Sequence, residues 1–140
     1  MALQIVFWIF ILTVVLISCD QLEKSNKTIH SDEMMIRISE IEIEPEYLEE
    51  YLSILKEESK ASVELEPGVI SIYPMCQKAN PNKIRILEIY ADKKAYQAHL
   101  ETPHFKHYKT TTLKMVKSLK LVDMKAIDGQ TMYTKFNKIN

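Results

Sequence analysis

The alternation of apolar and polar positions predicts four strands in this chain. Apolar residues crowd into short runs that turn residues separate, as is typical of strands in a packed sheet. These runs are residues 35–43, 69–76, 84–90 and 119–124. Pro74 lacks a backbone N–H, so the second strand should lie at a sheet edge or carry a bulge. Ile36 and Ile38 have the opposite parity to Ile41 and Ile43, which predicts a register-shifting bulge between the two pairs.

Two segments show the three- and four-residue spacing of apolar side chains that is typical of amphipathic helices. The first helix is predicted over residues 45–63 and is stopped by the turn at 66–68. The second is predicted over residues 92–100, is interrupted at Thr102-Pro103, and resumes over residues 104–116.

The resulting order of elements is β-α-β-β-α-β, with residues 78–83 joining the second and third strands as an antiparallel hairpin. This order predicts an α+β, ferredoxin-like domain in which two helices cover one face of a four-stranded antiparallel sheet. The strands are apolar on both parities, whereas helices can bury only one face. We therefore expect a homodimer that packs sheet against sheet, unless some of these residues line a ligand cavity instead.

The first 18 residues carry no charged side chain and form an apolar run too short for an ordinary membrane span. The run ends in Leu16-Ile17-Ser18-Cys19, which resembles the lipobox of bacterial lipoproteins. That resemblance implies a signal peptide over residues 1–18 and a lipidated Cys19. The polar residues that follow predict a tether, so that Cys19 and the tether occupy 19–33, and the pattern of elements predicts a folded domain over 34–127 and a tail over 128–140. The protein would then be lipid-anchored in a bacterial cell envelope, facing the periplasm or the exterior. An uncleaved signal anchor is the alternative.

Composition removes several function classes. The formal net charge of −1 argues against a nucleic-acid partner, which would need a basic excess. Only two glycines occur, so neither a phosphate-binding P-loop nor a glycine-rich dinucleotide turn is present. With Cys19 assigned to lipid, Cys76 has no intramolecular disulfide partner and is expected to be a small buried residue.

Candidate chemistry concentrates in the interrupted second helix, where His99, His104, His107 and Tyr108 lie within ten residues. Imidazoles move protons near neutral pH, and a phenol can donate to a developing oxyanion. Glu88 shares a strand parity with apolar residues, and a carboxylate in such surroundings needs a partner such as an imidazole N–H.

A metal site is a competing use of the same segment. His104 and His107, at i and i+3, could share an ion with Glu101. The signal is weak, because no thiolate or convincing fourth ligand accompanies them.

Three stretches resemble the antibiotic biosynthesis monooxygenase family, and its quinol monooxygenase branch most of all. They are Glu66-Pro67-Gly68-Val69, Ile86-Leu87-Glu88-Ile89-Tyr90-Ala91-Asp92 and Ala98-His99-Leu100-Glu101-Thr102-Pro103-His104-Phe105. The resemblance implies dimeric α+β barrels of ferredoxin-like protomers. It also implies oxidation of quinols or polyphenolic aromatics with dioxygen, and no metal or flavin cofactor.

On that resemblance, the catalytic residues are His99 or His104 as general base and Glu88 as the group that orients an imidazole. The substrate-binding residues are Tyr73 and Tyr108, which bond substrate oxygens, and Phe105, which packs on the ring. The partners are a small aromatic substrate, dioxygen, a second copy of the chain, and a membrane through the lipid anchor.

Other functions stay open at this point. The haem-degrading branch uses a Trp, and the one Trp here is Trp8 in the signal segment, which disfavours haem cleavage. A sister group isomerises a small phosphorylated sugar with similar histidines, so an acid/base isomerase is an alternative. A lipoprotein that binds an aromatic or hydrophobic ligand without turnover is another.

Overall fold

The computed structural model describes residues 32–128. The predicted signal peptide, Cys19, most of the tether and nearly all of the tail lie outside these residues. In chain order the elements are β1 (Met35–Ile43), α1 (Leu48–Leu65), β2 (Val69–Gln77), β3 (Asn80–Tyr90), α2 (Lys93–Leu100), α3 (Pro103–Thr112) and β4 (Val116–Met124). Short 3-10 turns, Pro45–Tyr47 and Leu113–Met115, precede α1 and β4.

The four strands form one antiparallel sheet in the order β2-β3-β1-β4. β1 and β3 are the two central strands. They are neighbours in the sheet although α1 and β2 separate them in sequence. This is the ferredoxin-like α+β arrangement that the element order predicted. β2 lies at a sheet edge, which is one of the two placements that Pro74 predicted.

Three details differ from the prediction. β3 begins at Asn80 and pairs with Gln77, so the connector shrinks to two residues, and β4 begins at Val116. The predicted bulge between Ile38 and Ile41 is wrong. β1 is continuous there, and its register with β4 shifts only between Glu42 and Ile43. β1 instead has apolar residues on both faces, with Ile36 and Ile38 on one face and Ile41 and Ile43 on the other.

One sheet face forms the core. Its strand residues include Ile41, Ile43, Ile84 and Ile86, and α1 contributes Tyr51 and Leu55, all 5% exposed or less. Burial of each such side chain stabilises the fold by roughly 1.5–3 kcal/mol. Cys76, expected to be buried, is exposed, because it lies near the end of an edge strand.

The other sheet face is apolar in one part and charged in another, where Glu40 lies between Arg85 and Lys120. The register aligns one residue from each strand across it, in the order Tyr73, Leu87, Ile38 and Val122. Leu87, Ile38 and Val122 are half-buried and Tyr73 is exposed. We call these four residues the second-face row.

The interrupted helix has a local explanation. Asp92 Oδ1 accepts a hydrogen bond from the backbone N–H of Ala95 at 2.8 Å and so begins α2. Thr102 Oγ1 donates to the carbonyl of His99 at 2.8 Å and accepts from the backbone N–H of Phe105 at 3.4 Å. Pro103 follows at the first position of α3, where it needs no N–H partner. The break therefore places His99 at the end of one helix and His104 at the start of the next.

Gly68 fits a close approach between the α1–β2 turn and α2. A Cβ at this position would lie 2.4 Å from the Cβ of Ala95. The carbonyl of Gly68 also accepts a hydrogen bond from the backbone N–H of Ala91 at 2.8 Å. This contact holds the segment containing Glu66 against the start of α2.

Within residues 32–128, no helix has both the length and the apolar character needed to cross a bilayer.

Candidate active site

A cavity of about 420 Å³ lies between the core face of the sheet and the helices. Its lining combines apolar and polar side chains. The apolar ones are Ile41, Ile72, Ile86, Leu100, Phe105, Leu113, Val116, Leu119 and Leu121. The polar ones are Arg37, Ser39, Glu58, Glu88, Tyr90, Tyr96, His99, Tyr108, Lys109 and Thr112. Most of the cavity surface is apolar even though polar side chains are numerous in the lining, and an apolar chamber with convergent polar groups is typical of small-molecule sites.

Four predicted site residues meet in this cavity: Glu88, His99, Phe105 and Tyr108. The chamber is not closed on all sides. Leu113, Leu119 and Leu121 belong to its lining, yet they are 75%, 57% and 49% exposed. The mouth therefore lies along β4 and is apolar.

His99 is held rigidly in the cavity wall. Its side chain is 3% exposed, and its ring centroid lies 5.4 Å from that of Tyr90 and 4.6 Å from that of Phe105. Nδ1 of His99 lies 3.0 Å from Glu66 Oε1. A carboxylate only accepts hydrogen bonds, so Glu66 selects the tautomer in which Nδ1 carries the proton and Nε2 carries the lone pair.

Glu66 joins both predicted imidazoles. The same Oε1 that contacts His99 also accepts a hydrogen bond from His104 Nε2 at 2.6 Å. Burial alone raises the pKa of Glu66, but the hydrogen bonds from the two histidines outweigh it and bring the pKa below its usual value. Glu66 is therefore an ionised carboxylate at neutral pH.

Glu58 is a cavity residue that the sequence analysis missed. It is 6% exposed, and its Oε1 lies 3.7 Å from His99 Nε2. Burial raises the pKa of Glu58, while hydrogen bonds from Ser62 and Ser59 and the nearby His99 oppose the rise. Its spacing could have revealed it: residues 51, 55, 58 and 62 recur on one helical face, whose other members are buried.

Glu88 does not orient an imidazole, contrary to the prediction. It accepts hydrogen bonds from Ser39 Oγ and from Tyr90 OH, the latter at 3.0 Å. Both donors lie in the sheet beside it, on β1 and on β3 itself, whereas the imidazoles bond to Glu66 at the end of α1. Glu88 is thus a satisfied carboxylate in the cavity wall.

Two tyrosines meet at another part of the wall. The hydroxyls of Tyr51 and Tyr108 lie 2.6 Å apart, and either could be the donor. Burial raises the pKa of Tyr108 to about 12 and raises that of Tyr51 further. Both phenols are therefore protonated at neutral pH, and Tyr108 can hydrogen-bond a ligand in the cavity.

Arg37 provides a cationic group in the lining. Its guanidinium bonds Asp123 Oδ1 at 2.7 and 2.8 Å and donates to Tyr96 OH at 2.9 Å. It also stacks over the Tyr96 ring at 4.8 Å. These contacts fix the cation beside the chamber.

The remaining predicted residues lie elsewhere. Tyr73 lies on the opposite sheet face and is 56% exposed, so the structure does not bring it into this cavity with the other predicted site residues. Successive side chains of a strand point to opposite faces, so Tyr73 faces away from the cavity that its neighbour Ile72 lines. His104 reaches the cavity only through Glu66 and His99, and it is not part of the lining.

The structure gathers a different candidate metal-ligand set from the predicted one. Glu101 pairs with Lys106 at 2.6 Å, and His107 is exposed and lies 3.5 Å from Thr111 Oγ1. Ligand atoms of Glu66, His99 and His104 instead all lie within 4.8 Å of one another.

Glu66→Gln is expected to lower the free energy of unfolding at pH 7 by about 1.5–3 kcal/mol, because two hydrogen bonds to a charged group are weakened. The lowered pKa of Glu66 means that its carboxylate stabilises the fold above the ordinary value of 4.5. That contribution is lost as the pH falls through the folded-state pKa, so the two proteins should converge in acid. Urea unfolding at neutral and acidic pH measures this, with the exposed Glu64→Gln as control. Equal stability at pH 7 would contradict it.

Comparison with known proteins gives a consistent family assignment. The sequence model of the antibiotic biosynthesis monooxygenases matches residues 34–111. No curated protein matches the chain. A solved structure from Bacteroides thetaiotaomicron, assigned as an antibiotic biosynthesis monooxygenase, is 49% identical with a TM-score of 0.70. That match covers 71% of this chain and 94% of the other.

Two further solved structures share the fold. A protein from Lactobacillus acidophilus assigned as a monooxygenase is 30% identical with a TM-score of 0.65, and the match covers 68% of this chain but only 45% of that one. A protein from Nitrosomonas europaea, 19% identical over 69% of this chain and 93% of its own, also has a TM-score of 0.65. On the extent of the matched residues and the identity to the Bacteroides protein, the chain belongs to the antibiotic biosynthesis monooxygenase family.

Proposed function

We propose that this protein is a cofactor-independent monooxygenase that oxidises a quinol-like or polyphenolic aromatic with dioxygen. Its family supports a monooxygenase acting on a small molecule. The observation that carries the finer proposal is the pairing of His99 with Glu66 in the wall of a largely apolar cavity.

His99 is the general base in this proposal. Glu66 accepts the hydrogen bond from Nδ1–H of His99. The lone pair of His99 therefore lies on Nε2, on the side of the ring where the cavity residue Glu58 lies. A base oriented by a third group is the arrangement that activates hydroxyl groups in many enzymes. His104 supports it indirectly, since it shares the Glu66 carboxylate oxygen and helps to keep that carboxylate ionised.

The reaction balances without another reductant. A hydroquinone and one dioxygen give a hydroxyquinone and one water, and the quinol supplies all four electrons. His99 Nε2 takes a phenolic proton, and the phenolate transfers an electron to dioxygen. Recombination of the substrate radical with superoxide forms a C–O bond, and the peroxide takes the proton back from His99 to give a hydroperoxide. Cleavage of its O–O bond leaves one oxygen on the ring and releases the other as water.

The other cavity groups suit an aromatic substrate. Phe105 lies beside His99 and can pack on a ring, and the protonated Tyr108 can donate to a substrate oxygen. Arg37 lies in the same wall, where its guanidinium is paired with Asp123 and donates a hydrogen bond to Tyr96. The apolar part of the lining provides a surface on which an aromatic ring can pack.

Oxygen uptake by the purified protein with a panel of hydroquinones tests the proposal. Each substrate consumed should consume one dioxygen, and ¹⁸O₂ should place one labelled atom in the product and the other in water. Uptake without protein corrects for spontaneous oxidation. Substrate conversion under anaerobic conditions would indicate an isomerase instead, and tight binding without turnover would indicate a ligand-binding protein.

We also propose that two copies pair through their second sheet faces. The second-face row supports this, because it presents one apolar residue on each of four adjacent strands. Monomers rarely leave such a contiguous patch open to water.

Anchoring through a lipidated Cys19 is a further proposal, and it rests on the lipobox-like Leu16-Ile17-Ser18-Cys19. Two or more acyl chains hold a protein stably on a membrane. Mass spectrometry of the N-terminal peptide from envelope fractions should find Cys19 as the first residue with added acyl mass. An intact peptide that runs through residues 1–18 would contradict cleavage.

A further inference from the structure

We propose that Glu66, His99 and His104 form a binding site for a zinc ion, and that zinc bound there blocks the base. The site lies on the side of His99 turned away from Glu58. Its three ligands come from three segments that converge at the break between α2 and α3. Two imidazole nitrogens and one carboxylate oxygen are a donor set that zinc accepts, with water as fourth ligand.

The ligand atoms already lie near the required positions. Glu66 Oε1 is 3.0 Å from His99 Nδ1 and 2.6 Å from His104 Nε2, and all three lie within 4.8 Å. Ligand atoms around a tetrahedral zinc ion are about 3.4 Å apart, given bonds of about 2.1 Å. To admit the ion in place of the shared protons, the two imidazole nitrogens must each move away from Glu66 Oε1 by less than about 1 Å. They must also approach each other, by up to about 1.4 Å, to reach that spacing.

The surroundings favour binding. His99 is fixed between the rings of Tyr90 and Phe105, so little side-chain freedom is lost when it ligates an ion. Glu58 Oε1 lies 3.7 Å from the other nitrogen of His99, and a carboxylate in that position commonly supports a metal-bound imidazole. The side chains of His104 and Glu66 are 19% and 11% exposed, so solvent can deliver the ion.

Zinc on His99 Nδ1 moves the ring proton to Nε2, the atom that the proposed function uses as its base. Bound zinc and base catalysis therefore exclude each other, and zinc should inhibit oxygen uptake reversibly. This second consequence depends on the proposed function, whereas zinc binding itself does not. A protein that binds zinc but consumes no oxygen would contradict only the oxygenase proposal.

The test is a zinc titration of the full chain, after treatment with a chelator, against a chromophoric zinc indicator. We expect one zinc per chain and at least tenfold weaker binding in His104→Gln. His107→Gln removes an exposed histidine from the same helix and should bind as the unchanged protein does. Circular dichroism checks that both variants fold.

Three results would overturn the site. They are no saturable zinc binding, equal affinity in His104→Gln and the unchanged protein, or equal losses in His104→Gln and His107→Gln. The last would point to the sequence-predicted set of Glu101, His104 and His107. A thermal-shift series gives an independent readout, since zinc should raise the melting temperature of the unchanged protein and not that of His104→Gln. Cobalt(II) spectra without a thiolate charge-transfer band would exclude the exposed Cys76 as a ligand.

Discussion

Replacing His99 with glutamine should lower kcat for hydroquinone oxidation by about 10²- to 10⁴-fold, which is the usual contribution of a general base. Glutamine has similar bulk and can donate to Glu66, but it offers no basic nitrogen to a phenolic proton. KM should change far less, because Phe105 and Tyr108 still bind the ring. Oxygen uptake under saturating dioxygen, as a function of substrate concentration, separates the two constants.

His107→Gln is the matched control for this variant, since it makes the same change at an exposed position of α3. Its kcat should equal that of the unchanged protein. Undiminished turnover by the His99 variant would remove His99 as the base and leave Glu58 as the next candidate, because it is the neighbouring carboxylate in the cavity and burial raises its pKa. Near-UV circular dichroism shows whether the ring packing around residue 99 survives.

Leu87→Lys should convert the proposed dimer to monomers. Leu87 lies inside the second-face row, between Ile38 and Tyr73, so a lysine there would bury an unpaired charge twice in a symmetric interface. Removing the partner of a buried charge costs about 3–5 kcal/mol, and a penalty of this size weakens dimerisation by at least about 100-fold. Light scattering coupled to size exclusion should show a molar mass of two chains falling to one.

The control is Ser53→Lys, which adds the same charge at an exposed position of α1. It should remain dimeric. If the unchanged protein is already monomeric, or if Leu87→Lys stays dimeric at micromolar concentration, the second-face row is not the interface. The monomeric variant also shows whether the cavity of a single chain suffices for turnover.

Most of the fold followed from local pattern. Strand and helix periods, the Asp92 cap and the Thr102-Pro103 break are short-range signals. The elements they predicted are all present, although β3 and β4 begin earlier than predicted. The exceptions share a cause. They are the false bulge between Ile38 and Ile41 and the exposure of Cys76. Both depend on which faces and ends of a strand the helices cover, and the sequence next to a strand does not determine this coverage.

The site was harder to predict because its key contacts join distant segments. His99, Phe105 and Tyr108 carried a recognisable pattern, but Glu66 lies 33 residues from His99 and resembled a turn residue. Glu88 was assigned to the imidazoles because a carboxylate among apolar neighbours needs donors. The donors exist, but they are Ser39 and Tyr90, within the sheet. The sequence thus predicted that Glu88 needs hydrogen-bond donors, but it did not predict which residues supply them.

The break at Thr102-Pro103 determines the direction in which each imidazole faces. On one unbroken helix, residues five positions apart are about 140° apart around the axis, so His99 and His104 would point away from each other. Ending α2 and restarting α3 removes that constraint and lets both rings reach one oxygen of Glu66. The length of this two-residue connection thus sets the angle between the imidazoles, and a single inserted residue would separate them without altering any side chain of the site.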